Sequence, residues 1–248
     1  MKKILSIGNS FSEDATTFLY DIAASGNMHC KVVNLFIGGC PLSLHAENIK
    51  DDNRSYLYQL NGQSMEDKWV SVKEILLEEE WDIVTMQQVS SLSGIYDSYF
   101  PYIYVVNDFV KEHCRSAKRI LHETWSYEAD SEHPGFVNYG YDQRAMYEAI
   151  VAANSKVATE LGLEIIPTGH LIQKIREESA LFDYKKTGRS LCADGFHLDR
   201  LYGRYAAAVL WYKQLFGGDI IKNDFVPQIE GAETDIALIF EIKRFAGI

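Results

Sequence analysis

The sequence lacks the features that mark several large classes of protein. Its 248 residues contain no apolar run of the roughly 18 to 20 residues that a membrane helix needs. They contain no CxxC pair or other zinc-ligand spacing, because the four cysteines are scattered along the chain. Nor is there an excess of positive charge: the formal net charge is −11, which argues against nucleic acid and anionic membranes as partners. We expect free thiols, a reducing compartment and a small-molecule partner.

The amino terminus also lacks the pattern of a signal peptide. The apolar stretch at residues 4–7 is far shorter than the roughly 7 to 15 residues of a signal core, and no small-residue cleavage site follows it. We interpret this stretch as a first β-strand and expect a cytoplasmic protein. No internal repeat, low-complexity tract or linker divides the sequence, so residues 1–248 are predicted to form one domain.

Short apolar runs alternate with longer amphipathic segments along the whole chain. This alternation is typical of a parallel sheet covered by helices on both faces. Strands are predicted at residues 3–7, 31–36, 82–86, 119–123 and 163–167. Helices are predicted at residues 14–25, 68–80, 102–114, 142–161, 201–216 and 234–245. The predicted fold class is therefore α/β, with a sheet of about five parallel strands.

One segment departs from this alternation. Residues 55–69 alternate apolar and polar side chains around Asn61-Gly62, a pair that favours a type I′ turn. We predict a small β-hairpin inserted after the second strand. Insertions at the carboxyl ends of parallel strands lie where such sheets bind ligands, so the hairpin either shapes a binding site or is a plain surface loop.

The first candidate for chemistry is Gly8-Asn9-Ser10-Phe11-Ser12, between the first strand and a helix. A serine at such a junction can expose its hydroxyl at the carboxyl edge of the sheet and offer its own N–H to a developing oxyanion. The same composition is also typical of an ordinary turn and helix cap. Alone, the motif favours the second interpretation.

The second candidate is Asp194-Gly195-Phe196-His197, before the predicted helix at residues 201–216. A histidine acts as general base to a serine when an acceptor holds its other ring nitrogen. Asp194 can curl back to that nitrogen across the turn at Gly195. The alternative is a turn aspartate and a histidine at the edge of the core. A metal site is disfavoured because no further ligand lies at a suitable spacing.

Together, the two motifs resemble the SGNH (GDSL-like) hydrolase superfamily in position and order. The resemblance implies that Ser10 is the nucleophile, His197 the general base and Asp194 its orienting partner. It also implies a three-layer α/β/α sandwich of the flavodoxin-like kind, with a sheet of about five parallel strands. No cofactor or metal is implied.

The same family supplies two further donors to its oxyanion hole, besides the N–H of the nucleophile, here Ser10. One is the N–H of a glycine after the second strand, which points to Gly39, with Gly38 as the alternative. The other is the side-chain amide of an asparagine after the third strand. This chain has Gln87 and Gln88 there, and glutamine carries the same amide on one more methylene. The departure indicates a divergent branch, nearer to the carbohydrate-acting esterases than to secreted lipases.

Three other residues are candidates for contact with substrate. Trp125 and Tyr127 follow the fourth strand and would suit stacking on a sugar ring, although burial in the core is an equally good interpretation. His133 lies in a polar loop that could reach the site, or it is a plain loop residue.

The function expected from the sequence is hydrolysis of a short-acyl ester, such as an O-acetyl group on a small molecule or oligosaccharide. The expected route is an acyl-enzyme on Ser10, with the oxyanion held by Ser10, Gly39 and Gln87 or Gln88. A thioesterase or lysophospholipase with the same triad is the first alternative. A non-catalytic carbohydrate-binding module that has kept the fold is the alternative from another class.

Overall fold

The computed structural model describes residues 1–187 and 189–247, and its centre is one sheet of seven strands. In chain order the strands are β1 (Lys2–Gly8), β2 (Cys30–Phe36), β3 (Tyr56–Leu60), β4 (Gln63–Val70), β5 (Ile83–Met86), β6 (Lys118–Glu123) and β7 (Glu164–Pro167). Their order across the sheet is β4-β3-β2-β1-β5-β6-β7. Strands β2, β1, β5, β6 and β7 are parallel, as predicted.

The order of the parallel strands creates a crevice at one edge of the sheet. From β1 the chain passes to β2 on one side, and it later returns to β5 on the other side. The loops that leave β1 and β5 therefore diverge at a topological switch point, where open α/β sheets bind their ligands at the carboxyl ends of the strands. The segment after β1 contains Ser10, and the segment after β5 begins with Gln87.

Helices cover both faces of the sheet. They are α1 (Ser10–Thr16), α2 (Leu19–Ser25), α3 (Leu42–Lys50), α4 (Val72–Glu78), α5 (Tyr102–His113), α6 (Gln143–Leu161), α7 (Thr168–Glu178), α8 (Tyr184–Thr187), α9 (Tyr202–Phe216) and α10 (Ile236–Gly247). Short 3₁₀ turns lie at Ser90–Leu92, Tyr96–Tyr99, Pro134–Tyr139 and Ile220–Lys222.

Two apolar clusters form the two interfaces between sheet and helices. Side chains alternate along a strand, so Ile4 of β1 points to one face and Leu5 to the other. Helices α1, α2, α7, α9 and α10 pack on the face of Ile4. Helices α3, α4 and α5 pack on the face of Leu5. The predicted three-layer α/β/α architecture is confirmed.

The predicted hairpin is present, but it belongs to the central sheet. Asn61 and Gly62 both have positive φ, 51° and 81°, as a type I′ turn requires. Strand β3 pairs antiparallel with β2, so the hairpin extends the sheet at its edge. Because β4 continues to Val70, the next helix begins at Val72 and the start predicted at residue 68 is wrong. Ser71 and Glu74 cap this helix reciprocally.

The remaining differences from prediction also concern helices. Helices α3 and α7 lie where the sequence analysis predicts no element; each follows a proline, Pro41 and Pro167, and neither has a side-chain cap. The helix predicted at residues 14–25 is two helices, α1 and α2, and α1 already begins at Ser10. All four cysteines are buried and free of disulfides. Within the described ranges, no helix has the length and apolar character to cross a membrane.

Candidate active site

Ser10 is the first residue of α1, directly after the turn that leaves β1. Asn9 caps the helix: its backbone is extended, with φ −144°, and its side-chain Oδ1 accepts a hydrogen bond of 3.0 Å from the N–H of Phe11. The Asn9 Nδ2 group donates to the carbonyl of Cys40 at 3.1 Å. The Asn9 side chain thus joins the Ser10 turn to the loop after β2.

The structure brings Ser10, His197 and Asp194 into one line of hydrogen bonds. The Ser10 Oγ lies 2.8 Å from His197 Nε2, and His197 Nδ1 lies 2.8 Å from Asp194 Oδ2. Because a carboxylate only accepts, Nδ1 carries the proton and Nε2 is free to accept the hydroxyl proton of Ser10. This arrangement allows His197 to act as general base to Ser10.

The loop that carries His197 is folded tightly by its own backbone. Gly195 has φ +85°, a conformation that side chains other than glycine's rarely adopt. The turn allows the N–H groups of Phe196 and His197 to donate to Asp194 Oδ1 at 3.1 and 2.8 Å. The N–H of Ala193 donates to the carbonyl of His197 at 2.9 Å and closes the loop. This turn therefore brings the side chains of Asp194 and His197, three residues apart, into contact.

The surroundings of Asp194 favour its ionised form. Partial burial raises the pKa of this carboxyl, but hydrogen bonds from the His197 ring and from the backbone N–H groups of His197 and Phe196 outweigh it and hold the pKa below its ordinary value. The side chains of His197 and Asp194 are 33% and 46% exposed, so the site is open to solvent on one side. A carboxylate in this position can stabilise an imidazolium during proton transfer.

Two residues of the cavity beside the Ser10–His197 pair have backbone N–H groups without a protein acceptor in the described part of the chain. Ser10 and Gly39 line a cavity of about 410 Å³. Over residues 1–187 and 189–247, neither the Ser10 N–H nor the Gly39 N–H donates to a protein acceptor. Gly39 has φ +62°, a conformation that favours glycine at this turn. Two such donors can hold the oxygen of a tetrahedral intermediate. Gly38 lines the same cavity.

The two glutamines do not line this cavity, and each amide has other partners. Gln87 is 1% exposed; its Nε2 donates to Asn9 Oδ1 at 2.7 Å, and its Oε1 accepts from His122 Nδ1 at 2.7 Å. Gln88 Nε2 donates to the carbonyl and hydroxyl oxygens of Ser98 at 2.9 and 3.2 Å, which uses both of its N–H groups. The structure therefore does not bring Gln88 to the oxyanion position. Gln87 contacts Asn9, the residue before Ser10, and is not among the residues that line the cavity.

The substrate-stacking prediction for Trp125 and Tyr127 is wrong, because both rings are 0% exposed. Trp125 stacks on Phe11 with ring centroids 4.2 Å apart, and its Nε1 donates to the carbonyl of Phe196 at 2.7 Å. The Tyr127 hydroxyl lies 2.9 Å from that of Ser90. These residues support the Ser10 and His197 segments from inside the core.

His133 lies beside the site but not in the hydrogen-bonded line. Its ring packs edge-on against Phe196, with centroids 4.7 Å apart, and its Nδ1 accepts from the N–H of Gly135 at 3.0 Å. Burial, together with the charge of nearby His197, lowers the pKa of His133. Its predicted contact with substrate stays a prediction.

Sequence reasoning missed one functional candidate, Asp14. It lies four residues after Ser10 in α1, its side chain is 1% exposed, and it lines the cavity of Ser10. The available signal was a carboxylate one helical turn after the candidate nucleophile, on the same helix face.

A second cavity adjoins the site on the side of Asp194. It has a volume of about 470 Å³ and is predominantly polar, with walls from residues that include Glu128, Asp130, Glu132, Ser190 and Tyr184. Asp194 and Gly195 also line it, and Ala193 lines both this cavity and that of Ser10.

Solved structures place this architecture in a known class. The chain has the fold of the SGNH hydrolases: a structure from Slackia heliotrinireducens assigned to that class matches it with a TM-score of 0.58 and 22% identity, over 86% of this chain and 98% of the other. An acetyl-xylooligosaccharide esterase variant from Geobacillus Stearmophilus matches with a TM-score of 0.52 and 13% identity, over 92% and 97%.

The sequence itself identifies the family of this chain. Residues 3–239 match the model of a domain of unknown function, DUF4886, and the chain belongs to that family. A crystal structure of a DUF4886 family protein from Bacteroides uniformis is similar, with 34% identity and a TM-score of 0.89, over 99% of this chain and 93% of the other. No curated protein matches the chain.

Proposed function

We propose that this protein is a serine hydrolase that cleaves short-acyl esters, such as an O-acetyl group on a carbohydrate. The observation that carries the proposal is the line from Ser10 Oγ through His197 to Asp194, with 2.8 Å at each step. The line is not a buried structural network, because the His197 side chain is a third exposed and Ser10 lines a cavity that a substrate can enter.

The proposed reaction proceeds through an acyl-enzyme. His197 Nε2 takes the Ser10 proton as Oγ attacks the ester carbonyl, and the carbonyl electron pair moves to oxygen. The N–H groups of Ser10 and Gly39 bind this oxyanion, each such donor being worth about 3 to 4 kcal/mol of barrier. Collapse expels the alkoxide, which receives the proton from His197. Water then attacks the acyl group with His197 as base, releasing the acid and restoring Ser10.

The two cavities support a small acyl group and a polar alcohol. Phe36, Ala193 and Leu198 contribute apolar wall to the cavity of Ser10. Carboxylates and hydroxyls line the second cavity, and such groups can hydrogen-bond the hydroxyls of a sugar. The likeness in fold to an acetyl-xylooligosaccharide esterase agrees with this substrate class. Gln87 and His133 remain secondary candidates, for the oxyanion and for the substrate respectively.

The test is hydrolysis of p-nitrophenyl acetate, butyrate and octanoate by the wild type, Ser10→Ala and Ser155→Ala. Ser155 is an exposed serine of α6, so its variant controls for general effects of serine replacement. We expect acetate to be cleaved fastest, and activity to vanish in Ser10→Ala alone. A fluorophosphonate should label the wild type on Ser10.

Other outcomes distinguish the alternatives. Activity that rises with acyl chain length would favour a thioesterase or lysophospholipase. Tight binding of oligosaccharides without cleavage of any ester would favour a binding module. Acetyl release from acetylated xylooligosaccharides, compared with acetylated glycerol, tests the carbohydrate part separately.

A further inference from the structure

Asp14 connects the two segments that carry Ser10 and His197. It belongs to α1, the helix that Ser10 begins, and lies one turn further along. Its Oδ2 accepts a hydrogen bond of 2.9 Å from the N–H of Leu198, the residue after His197. Its Oδ1 lies 2.8 Å from Arg204 Nη2 of α9. The carboxylate thus links α1 to two other segments, the one after His197 and α9.

The hydrogen bond to Leu198 fixes the backbone next to His197 directly to α1, whereas the other contacts of this segment with α1, besides the Ser10–His197 bond itself, pass through the Phe11 ring. The segment also pairs with its own chain: Cys192 and Leu198 form an isolated β-bridge, and the N–H of Asp199 donates to Leu191. That pairing sets the shape of the loop but not its distance from α1. Within the described residues, Asp14 is the acceptor that holds the Leu198 N–H against the helix of Ser10.

We propose that Asp14 is a positioning residue for the Ser10–His197 pair, tying the backbone beside His197 to the helix that begins at Ser10. The inference rests on the proposed function, since it concerns the same nucleophile and base. A displacement of the order of 1 Å at a reacting group can cost about 100-fold in rate. The bond of Asp14 to Leu198 acts on this distance without touching substrate.

Charged and titratable groups surround the Asp14 carboxyl on every side. They are Arg204 from α9, His197 and Cys192 from the loop segment, and Glu13 from its own helix. Burial raises the pKa of Asp14 to about 7, although Arg204 and the Leu198 N–H act in the opposite direction. As the pH falls through about 7, protonation of Asp14 would weaken its bonds to Arg204 and to the Leu198 N–H.

The test compares Asp14→Asn with Glu123→Gln. Asparagine keeps the shape of Asp14, but its NH₂ group must face either the Leu198 N–H or the Arg204 guanidinium, both of which are donors. Glu123 is the matched control: burial also raises its pKa to about 7, and its Oε1 accepts a backbone N–H at 2.9 Å, but from His170 in α7. Both substitutions remove a buried carboxylate, and only one removes the link to His197.

For Asp14→Asn we expect kcat on p-nitrophenyl acetate to fall on the order of 10- to 100-fold with KM nearly unchanged. The acid limb of the kcat/KM profile should move to lower pH, and amide exchange at Leu198 should become faster. For Glu123→Gln, kcat, the pH profile and Leu198 exchange should match the wild type. If Asp14→Asn does not fold, Asp14→Glu replaces it, because it keeps the charge and displaces the carboxylate.

Two results would overturn the inference. One is a folded Asp14 variant whose kcat, pH profile and Leu198 exchange equal those of the wild type; the other is an equal loss of kcat in Glu123→Gln. Failure of the proposed function looks different, since the wild type would then cleave no ester. In that case the labelling rate of Ser10 by a fluorophosphonate and the exchange at Leu198 still decide whether Asp14 positions the pair.

Discussion

The side-chain amide of Gln87 donates a hydrogen bond of 2.7 Å to the Oδ1 atom of Asn9. The same Oδ1 accepts the N–H of Phe11, and the Asn9 Nδ2 group donates to the Cys40 carbonyl. Behind Gln87, His122 Nδ1 donates to Oε1, since an amide oxygen only accepts. A glutamine after β5 therefore holds the residue that caps the helix of Ser10 and joins it to the Gly39 loop.

Gln87→Leu should lower both stability and kcat. The substitution leaves His122 Nδ1 without a partner, and a buried unsatisfied group costs about 1 to 3 kcal/mol. Asn9 Oδ1 keeps only the N–H of Phe11 as a donor. Release of Asn9 should also loosen the Gly39 loop and reduce kcat. Urea unfolding and p-nitrophenyl acetate hydrolysis measure the two effects.

The exposed Gln214 supplies the control for this substitution. Gln214→Leu should change neither quantity. Wild-type stability together with wild-type kcat in Gln87→Leu would show that the network does not hold the site.

The sequence predicted the parts of the fold that depend on local patterns. Five apolar runs are the five parallel strands, and Asn61-Gly62 is the predicted turn because both residues accept positive φ. The partners of Gln87 and Gln88 could not be predicted in the same way. Asn9 lies 78 residues before Gln87, and Ser98 lies in a short 3₁₀ turn 10 residues after Gln88, so no local pattern indicates which amide meets which partner.

In the candidate site, too, the features set by local motifs were predicted and the long-range contacts were not. Ser10, Asp194 and His197 were predicted because a short motif sets each turn, and the order of the strands brings the turns together. That Trp125 is buried rather than exposed to substrate could not be predicted. Its burial results from stacking on Phe11 and from the hydrogen bond to the carbonyl of Phe196, which lies 71 residues away. Asp14 was missed because its partner Leu198 is even more distant, 184 residues along the chain.

Asp194→Asn should reduce kcat strongly without unfolding the protein. Asparagine can still accept the backbone N–H groups of Phe196 and His197 through one oxygen. It cannot stabilise an imidazolium, and it favours the wrong tautomer of His197; in a serine protease the corresponding change costs about 10⁴ in kcat. Steady-state kinetics and thermal unfolding are the measurements. An Asp194→Asn enzyme with the wild-type kcat would exclude Asp194 from the proposed triad.

Trp125→Phe should destabilise the protein and leave KM unchanged. The substitution keeps a ring beside Phe11 but removes the Nε1–H, so the partly buried carbonyl of Phe196 loses its donor at a cost of about 1 kcal/mol. Tyr141→Phe, an exposed aromatic position, is the control. A rise in KM for an acetylated sugar without loss of stability would instead indicate that Trp125 contacts substrate.

His45 should make the protein less stable as the pH falls below about 6.5. The ring is fully buried, lies 2.9 Å from the Tyr56 hydroxyl through Nδ1, and burial lowers its pKa from 6.5 to about 3. Between these values the unfolded chain binds a proton and the folded protein does not. The contribution of His45 is therefore complete above pH 6.5 and is lost towards pH 3, by up to about 1.4 kcal/mol per pH unit.

The variant that tests this is His45→Asn, whose side-chain oxygen can accept the Tyr56 O–H in place of Nδ1. Urea unfolding at about pH 5 and about pH 7.5 should show a smaller loss of stability at the lower pH for His45→Asn than for the wild type. His29→Asn, at an exposed histidine, should keep the wild-type difference. Because His122 is also buried with its pKa lowered to about 3, some acid dependence should remain in His45→Asn. An unchanged difference in His45→Asn would mean that the folded protein binds a proton at His45 as readily as the unfolded chain does.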